Sequence, residues 1–157
     1  MSASANFYPE RLNYAHILSL APRIREADLR DLTLHEGDPE QALISGLSSG
    51  EAYAVLHEGT VIGAGGWTVE GAIWTLWADL TLGQSKQLLK WSRPWARVIA
   101  IRAKRPLSNV YLRGNTTTER WLKATRCVNI LDDHPIQWQG REYIPFHLKP
   151  LEELPYV

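Results

Sequence analysis

The residues of this chain that could do chemistry lie in three places. The first is the stretch 108–128, SNVYLRGNTTTERWLKATRCV, where Gly114-Asn115 stops a β-forming run of Val110, Tyr111 and Leu112. Asn115 or one of Thr116–Thr118 can cap the helix that follows, because a short side-chain oxygen accepts from the unpaired N–H groups of a first turn. A strand that ends beside a helix N-terminus leaves a polar notch suited to an anion, although the same pattern also makes an ordinary β-turn-α packing unit. The second place is the interval between Asp79 and Glu119, which holds eight basic residues and no acidic one. Within it Lys86, Lys90, Arg93 and Arg97 form one helical stripe, a solvated face in most proteins and otherwise a contact for a phosphate or an acidic partner. No aromatic interleaves that stripe on its own face, which disfavours nucleic acid. The third is Cys127, the single cysteine, which lacks a sequence neighbour that would activate it and reads best as a buried structural thiol. Histidines 16, 35, 57, 134 and 147 show no zinc-type spacing, so no metal site is expected.

The totals bound the class. At 157 residues, 45% hydrophobic and with seven tryptophans, the chain reads as one globular domain. Formal net charge is zero, so global charge selects no partner. No apolar run reaches about 18 residues, so no transmembrane helix is expected. The first residues lack the basic start and apolar run of a secretion signal. One cysteine fits a reducing cytoplasm.

The elements that must position these residues can be read in order. Residues 1–12 read as an irregular leader and 14–20, YAHILSL, as a first strand. A helix is expected over 22–35, with Pro22 in its first turn and Gly37 after its end. Asp38-Pro39 opens a second helix that closes at Ser48-Ser49-Gly50. Strands over 51–57 and 60–67 pair through a tight turn at Glu58-Gly59. Gly63, Gly65 and Gly66 inside the second of these imply close approach by a backbone, a helix or a ligand. Residues 72–80, AIWTLWADL, are apolar on both faces and read as a central strand. A long helix is expected over 85–103, kinked at Pro94 rather than split, since the apolar pattern keeps phase across it. After the strand and helix of 108–128 come strands at 128–133 and 141–148, joined by HPIQWQG, and an irregular tail over 149–157. The order is β-α-α-β-β-β-α-β-α-β-β.

That order, with the asparagine placed after the fifth strand, resembles the GNAT fold of the Gcn5-related N-acetyltransferases. In that family an asparagine, a helix and the ending tyrosine-x-x-x-glycine-phenylalanine follow the strand. Asn115 falls on the family asparagine, Leu122 on the tyrosine, Arg126 on the glycine and Cys127 on the aromatic position. Gly114-Asn115-Thr116 and Leu122-Lys123, with the aromatic strand before a basic helix and the final hairpin, look similar to the small GNAT-like proteins of T7-like podoviruses. The phiKMV-like phages of Pseudomonas carry comparable proteins, and the likeness covers about residues 51–148.

The resemblance implies an α+β fold, an α/β/α sandwich with a mixed, mainly antiparallel central sheet of six to seven strands flanked by about four helices, in one domain over 1–157. It implies acetyl-CoA held where the fourth and fifth strands splay. Its phosphates would lie on Leu80, Leu82, Gly83, Gln84, Ser85 and Lys86 at the start of the long helix, with Asn115 on the other side. One glycine here, where the family usually carries a pair, is a departure. Acetyl transfer needs a base for the attacking amine and an acid for the leaving thiolate; Asp79 is the best base and Tyr111 the remaining acid candidate, with Glu70 and His57 weaker. Trp67 and Trp77 could line an acceptor pocket.

The implied function is a phage-encoded acyltransferase working in the cytoplasm of the infected bacterium on a small-molecule or host-protein acceptor. The alternatives are a catalytically degenerate GNAT-shaped protein that binds a host metabolic or signalling enzyme, and a virion or assembly component. Neither a membrane nor nucleic acid is an expected partner, and a monomer or dimer fits. Acceptor choice in this fold would lie in 22–50 and 134–140.

Overall fold

A computed structural model describes residues 7–32 and 38–155. The expected helix end near His35 and Gly37 lies outside the described residues, as do the first six residues of the expected leader. The chain divides into two compact units, Met1–Leu88 and Leu89–Val157.

The first unit is a four-stranded antiparallel sheet in the order β1 (Phe7–Arg11), β2 (Gly50–His57), β3 (Thr60–Thr68) and β4 (Ile73–Trp77). Three helices, α1 (Tyr14–Leu20), α2 (Glu26–Arg30) and α3 (Pro39–Ser48), precede β2. Three expectations change here. Residues 7–11 are a strand rather than a leader, paired with β2 from Phe7↔His57 to Arg11↔Tyr53, and Pro9 is tolerated because β1 is the edge. YAHILSL is a helix rather than a strand. Asn13 caps it in a reciprocal box: its Oδ1 accepts the His16 N–H at 3.0 Å and its own N–H donates to His16 Nδ1 at 3.1 Å. The expected helix over 22–35 is shorter: residues 21–23 form a 3₁₀ turn, Ile24 makes an isolated bridge to Ala78, and α2 follows.

Cross-strand alternation places Ala54, Ala64 and Leu76 in one row on the sheet face that meets Ile17, Leu20 and Leu43 of α1 and α3. Burial of this apolar set is the main stabilising term of the unit. The small alanines admit the helices closely. On the opposite face Val55, Gly63 and Trp77 share a row, and a Cβ on Gly63 would fall inside the Trp77 indole. A Cβ on Gly66 would overlap the Glu51 carbonyl, and one on Gly65 would press on Thr75. The close approach implied by the strand glycines is thus made by the protein's own atoms. Trp67 and Trp77 are both buried.

The second unit holds β5 (Ser108–Leu112), β6 (Val128–Ile130), β7 (Ile136–Trp138) and β8 (Arg141–Leu148), with β8 between β5 and β6 and β7 also on β8. All pairings are antiparallel. The strand β7 was not expected from sequence; its turn is Gln139-Gly140, with φ of 49° and 76°, a tight hairpin turn of the primed kind. α5 (Thr116–Thr125) follows β5 as expected. α4 (Leu82–Ala103) runs through Pro94 as one helix. Its Ala96 and Ala100 pack with Cys127, Leu148, Leu151 and Leu154, and a 3₁₀ turn over 151–153 interrupts the expected irregular tail. The result is an α+β fold with eight strands, all antiparallel in their pairing, and five α-helices among the described residues, one or two strands and one helix more than expected.

Candidate functional site

The candidate residues divide between the two units. In the first, β4 runs into Asp79. Its last residues are held on one side by the Ala78 N–H, which donates to Ile62 O at 2.9 Å. On the other side the Trp77 carbonyl accepts the Arg25 N–H at 2.8 Å, and the Trp77 N–H donates to Asp28 Oδ2 at 2.7 Å. Asp28 is only 6% exposed, and its Oδ1 accepts from Arg25 Nε at 2.9 Å. Burial pushes the Asp28 carboxyl above its ordinary range, against the pull of Arg25 and the Trp77 amide.

Asp79 itself is exposed, and its carboxylate bonds to no described residue. It is therefore not the cap of the next helix. Thr81 is: its Oγ1 accepts the Gln84 N–H at 3.1 Å, and its N–H donates to Gln84 Oε1 at 3.0 Å. Ser85 N–H donates to the Thr81 carbonyl at 2.9 Å, the first helical bond of α4. The capping box takes up the Thr81 and Gln84 N–H groups and the first helical bond that of Ser85, which leaves those of Leu82 and Gly83 as the outward donors of the first turn. Both residues are exposed, as is Lys86, while Leu80 is half-buried. A Cβ on Gly83 would meet nothing nearer than Thr81 Oγ1 at 4.0 Å, so the fold gives this glycine no internal reason. The Gln84 amide also donates to His57 Nδ1 at 3.4 Å, and His57 stacks on Phe7 with ring centroids 4.4 Å apart. His57 Nδ1 thereby accepts from the helix start.

In the second unit Asn115 is the N-cap of α5: its Oδ1 accepts the Thr118 N–H at 3.4 Å, and its carbonyl accepts the Glu119 N–H at 3.1 Å. It is buried. Tyr111, 2% exposed, donates its hydroxyl to Glu119 Oε2 at 3.1 Å. Burial first and Glu119 second push its pKa up to about 12. Lys123, at 3.0 Å, and the Tyr111 hydroxyl hold the Glu119 carboxyl below its ordinary value. Leu122 is half-buried.

The residue after α5 closes the helix in the left-handed conformation. Arg126, where the family pattern carries glycine, adopts the left-handed conformation with φ 61° and ψ 17°. Arg126→Gly is expected to raise stability by about 0.5–1 kcal/mol, the left-handed penalty of an L-residue less the entropy of glycine. Thermal denaturation checks this, and a fall in melting temperature would show that the arginine side chain itself holds the turn. Cys127 is buried, its thiol donates to Thr125 O at 3.2 Å, and burial raises its pKa, which leaves it unreactive.

The basic stripe divides. Lys86 and Lys90 are exposed. Arg93 donates to the Ala124 carbonyl at 2.9 Å at the end of α5, and Arg97 to the carbonyls of Leu151 and Leu154 at 3.4 and 3.3 Å. The two arginines bond to carbonyls at the end of α5 and around the 151–153 turn. Sequence reading missed Thr81, although the spacing Thr81-x-x-Gln84 is a capping-box signature; the helix had been started at Ser85. It also missed Asp28, which carries no local signal because its partner lies 49 residues away.

No family model matches the sequence, and no curated protein matches it. Solved structures do. A GNAT-family acetyltransferase from Bacillus anthracis superposes with a TM-score of 0.64 at 9% identity, over 94% of this chain and 96% of its own. AAC(6')-Ib in complex with ribostamycin and coenzyme A gives 0.60 at 12% identity, over 91% and 93%. The Escherichia coli N-acetyltransferase for a ribosomal-protein alanine gives 0.60 at 11% identity, over 92% and 94%. The chain has the fold of the GNAT acetyltransferases.

Proposed function

We propose that this protein transfers an acetyl group from acetyl-CoA to an amine. The observation that carries the reading is the match to GNAT acetyltransferases over more than nine-tenths of the chain. The first turn of α4 suits the cofactor: two outward amides, Leu82 and Gly83, open space at Gly83, and Lys86 on the same helix start. Acetyl-CoA when bound supplies the activated acetyl group. The Leu82 and Gly83 amides and Lys86 bind its phosphates, and Leu80, Gln84 and Ser85 shape the turn. Asn115 caps the start of α5 within the second unit. Asp79, exposed and bonded to no described residue, takes the proton from the attacking amine. Tyr111 is the acid candidate, yet with a pKa of about 12 it gives its proton up far less readily than an ordinary thiol near 8.5. In this reading the proton stays on the Tyr111 oxygen, donated in the hydrogen bond to Glu119, and coenzyme A leaves as the thiolate. The acceptor in this reading is a small molecule or a host protein, and the resemblance of 114–116 and 122–123 to podovirus proteins favours an activity in the cytoplasm of an infected bacterium.

A second reading is favoured by Leu122 and by the Tyr111–Glu119 bond: a GNAT-shaped protein that has kept the cofactor turn, lost turnover, and binds a host enzyme. Gly83→Ala tests the shared part. Alanine suits a helix better than glycine and meets no neighbour, so stability is expected to hold or rise by about 0.5–1 kcal/mol. Acetyl-CoA affinity, by calorimetry, is expected to fall by roughly tenfold, the worth of one compromised charge-assisted hydrogen bond. Unchanged affinity would remove the α4 turn from the cofactor site. Turnover with any amine would then decide between the two readings.

A further inference from the structure

We propose that Asp28 is a positioning residue for the start of α4: it fixes where β4 ends, and so where Asp79 and the Thr81 cap stand. The use made of that position rests on the acyl-transfer reading. Trp77 points both of its backbone groups away from β3, towards a side where β4 has no strand partner in its own unit. A buried N–H left unpaired there would be costly. Arg25 supplies a backbone N–H for the carbonyl, and the Asp28 side chain supplies the acceptor for the N–H. A carboxylate thus takes the place of a strand for one residue, beside the Ile24↔Ala78 bridge. On the β3 side the Ala78 amide is held by Ile62.

Residues 77 and 78 are therefore clamped from both edges, and Asp79 is the first residue beyond the clamp. Thr81 follows two residues later, too short a span to absorb a shift at Trp77 without moving the cap. Both Asp28 oxygens are committed, one to Arg25 Nε and one to the Trp77 amide, so the side chain has no rotameric freedom to spare. Its bond across 49 residues does nothing for α2, a five-residue helix, that a nearer partner would not do.

Asp28→Asn separates positioning from bulk stability. An asparagine offers one acceptor oxygen where two donors converge, so either Arg25 or Trp77 loses its bond. Amide hydrogen exchange by NMR is expected to accelerate roughly tenfold or more at Trp77, and with it at Thr81 and Gln84, the two amides the capping box protects. Leu43→Ala, which empties a buried site in the same core, is the control: it lowers the melting temperature without selective exchange at 81 and 84. Acetyl-CoA affinity is expected to fall in Asp28→Asn and to stay level in the control. Acceleration confined to residues 25–28 and 77, or equal acceleration in both variants, would overturn the proposal. If wild-type protein binds no acetyl-CoA, the acyl-transfer reading fails and the exchange at 81 and 84 still decides the role of Asp28.

Discussion

Asp79→Asn is expected to lower kcat for acetyl transfer by roughly 10²–10⁴-fold, the usual worth of a positioned general base, with acetyl-CoA affinity unchanged. The carboxylate is exposed and bonds to no described residue, so it does no structural work that the amide would disturb. Thr81, not Asp79, caps α4. Melting temperature should therefore stay within the range of a neutral surface change, about 0.5 kcal/mol either way. A loss of stability would reassign Asp79 to the turn. Unchanged turnover would show that the amine loses its proton elsewhere.

Gly63→Ala is expected to cost about 3 kcal/mol, the upper part of the range for overpacking a core. The added methyl would fall inside the Trp77 indole, which is buried at 5% exposure. That ring cannot yield easily, because the Trp77 backbone is held by Arg25 and Asp28 while Ala78 is held by Ile62. In a domain of this size the melting temperature should drop by roughly 6–12 °C, at 2–4 °C per kcal/mol. Thermal unfolding followed by circular dichroism measures it. A drop under about 2 °C would mean that Trp77 repacks freely, and would weaken the case for a clamp at the end of β4.

Several parts of this molecule were legible in its sequence because local chemistry and final structure agree. Asn115 caps α5, Asp38 caps α3, and Glu58-Gly59 turns β2 into β3 with both residues at positive φ. Other parts were hidden by physical causes that can be named. YAHILSL alternates like a strand, and its helix depends on Asn13 bonding reciprocally with His16, a residue not usually found in that role. The strand FYPER holds a proline that only an edge position forgives. IQW is too short to announce itself, and its turn at Gln139 needs a positive φ that glutamine rarely adopts.

The candidate site was half legible for the same reason. A helix start after the strand expected over 72–80 was legible, because a glycine and small polar residues before a long amphipathic pattern are a local signal; a cofactor role for it came from the resemblance alone. Its architecture was not legible, because that depends on contacts far along the chain: Gln84 to His57, and Asp28 to Trp77. The arginines of the basic stripe misled for a related cause. Their spacing is helical, but the carbonyls they close lie 31 to 57 residues away. Tyr111 reads from the sequence as an acid candidate or as a core residue, and it is buried. What sets its proton affinity is burial and then Glu119, eight residues on and across the Asn115 cap.

Isothermal titration of acetyl-CoA into the wild-type protein tests the central claim most directly. One site per chain is expected, with a dissociation constant within about 1 μM–1 mM, the range in which enzymes hold their substrates. Absence of binding heat, with no shift of melting temperature at millimolar acetyl-CoA, would contradict it.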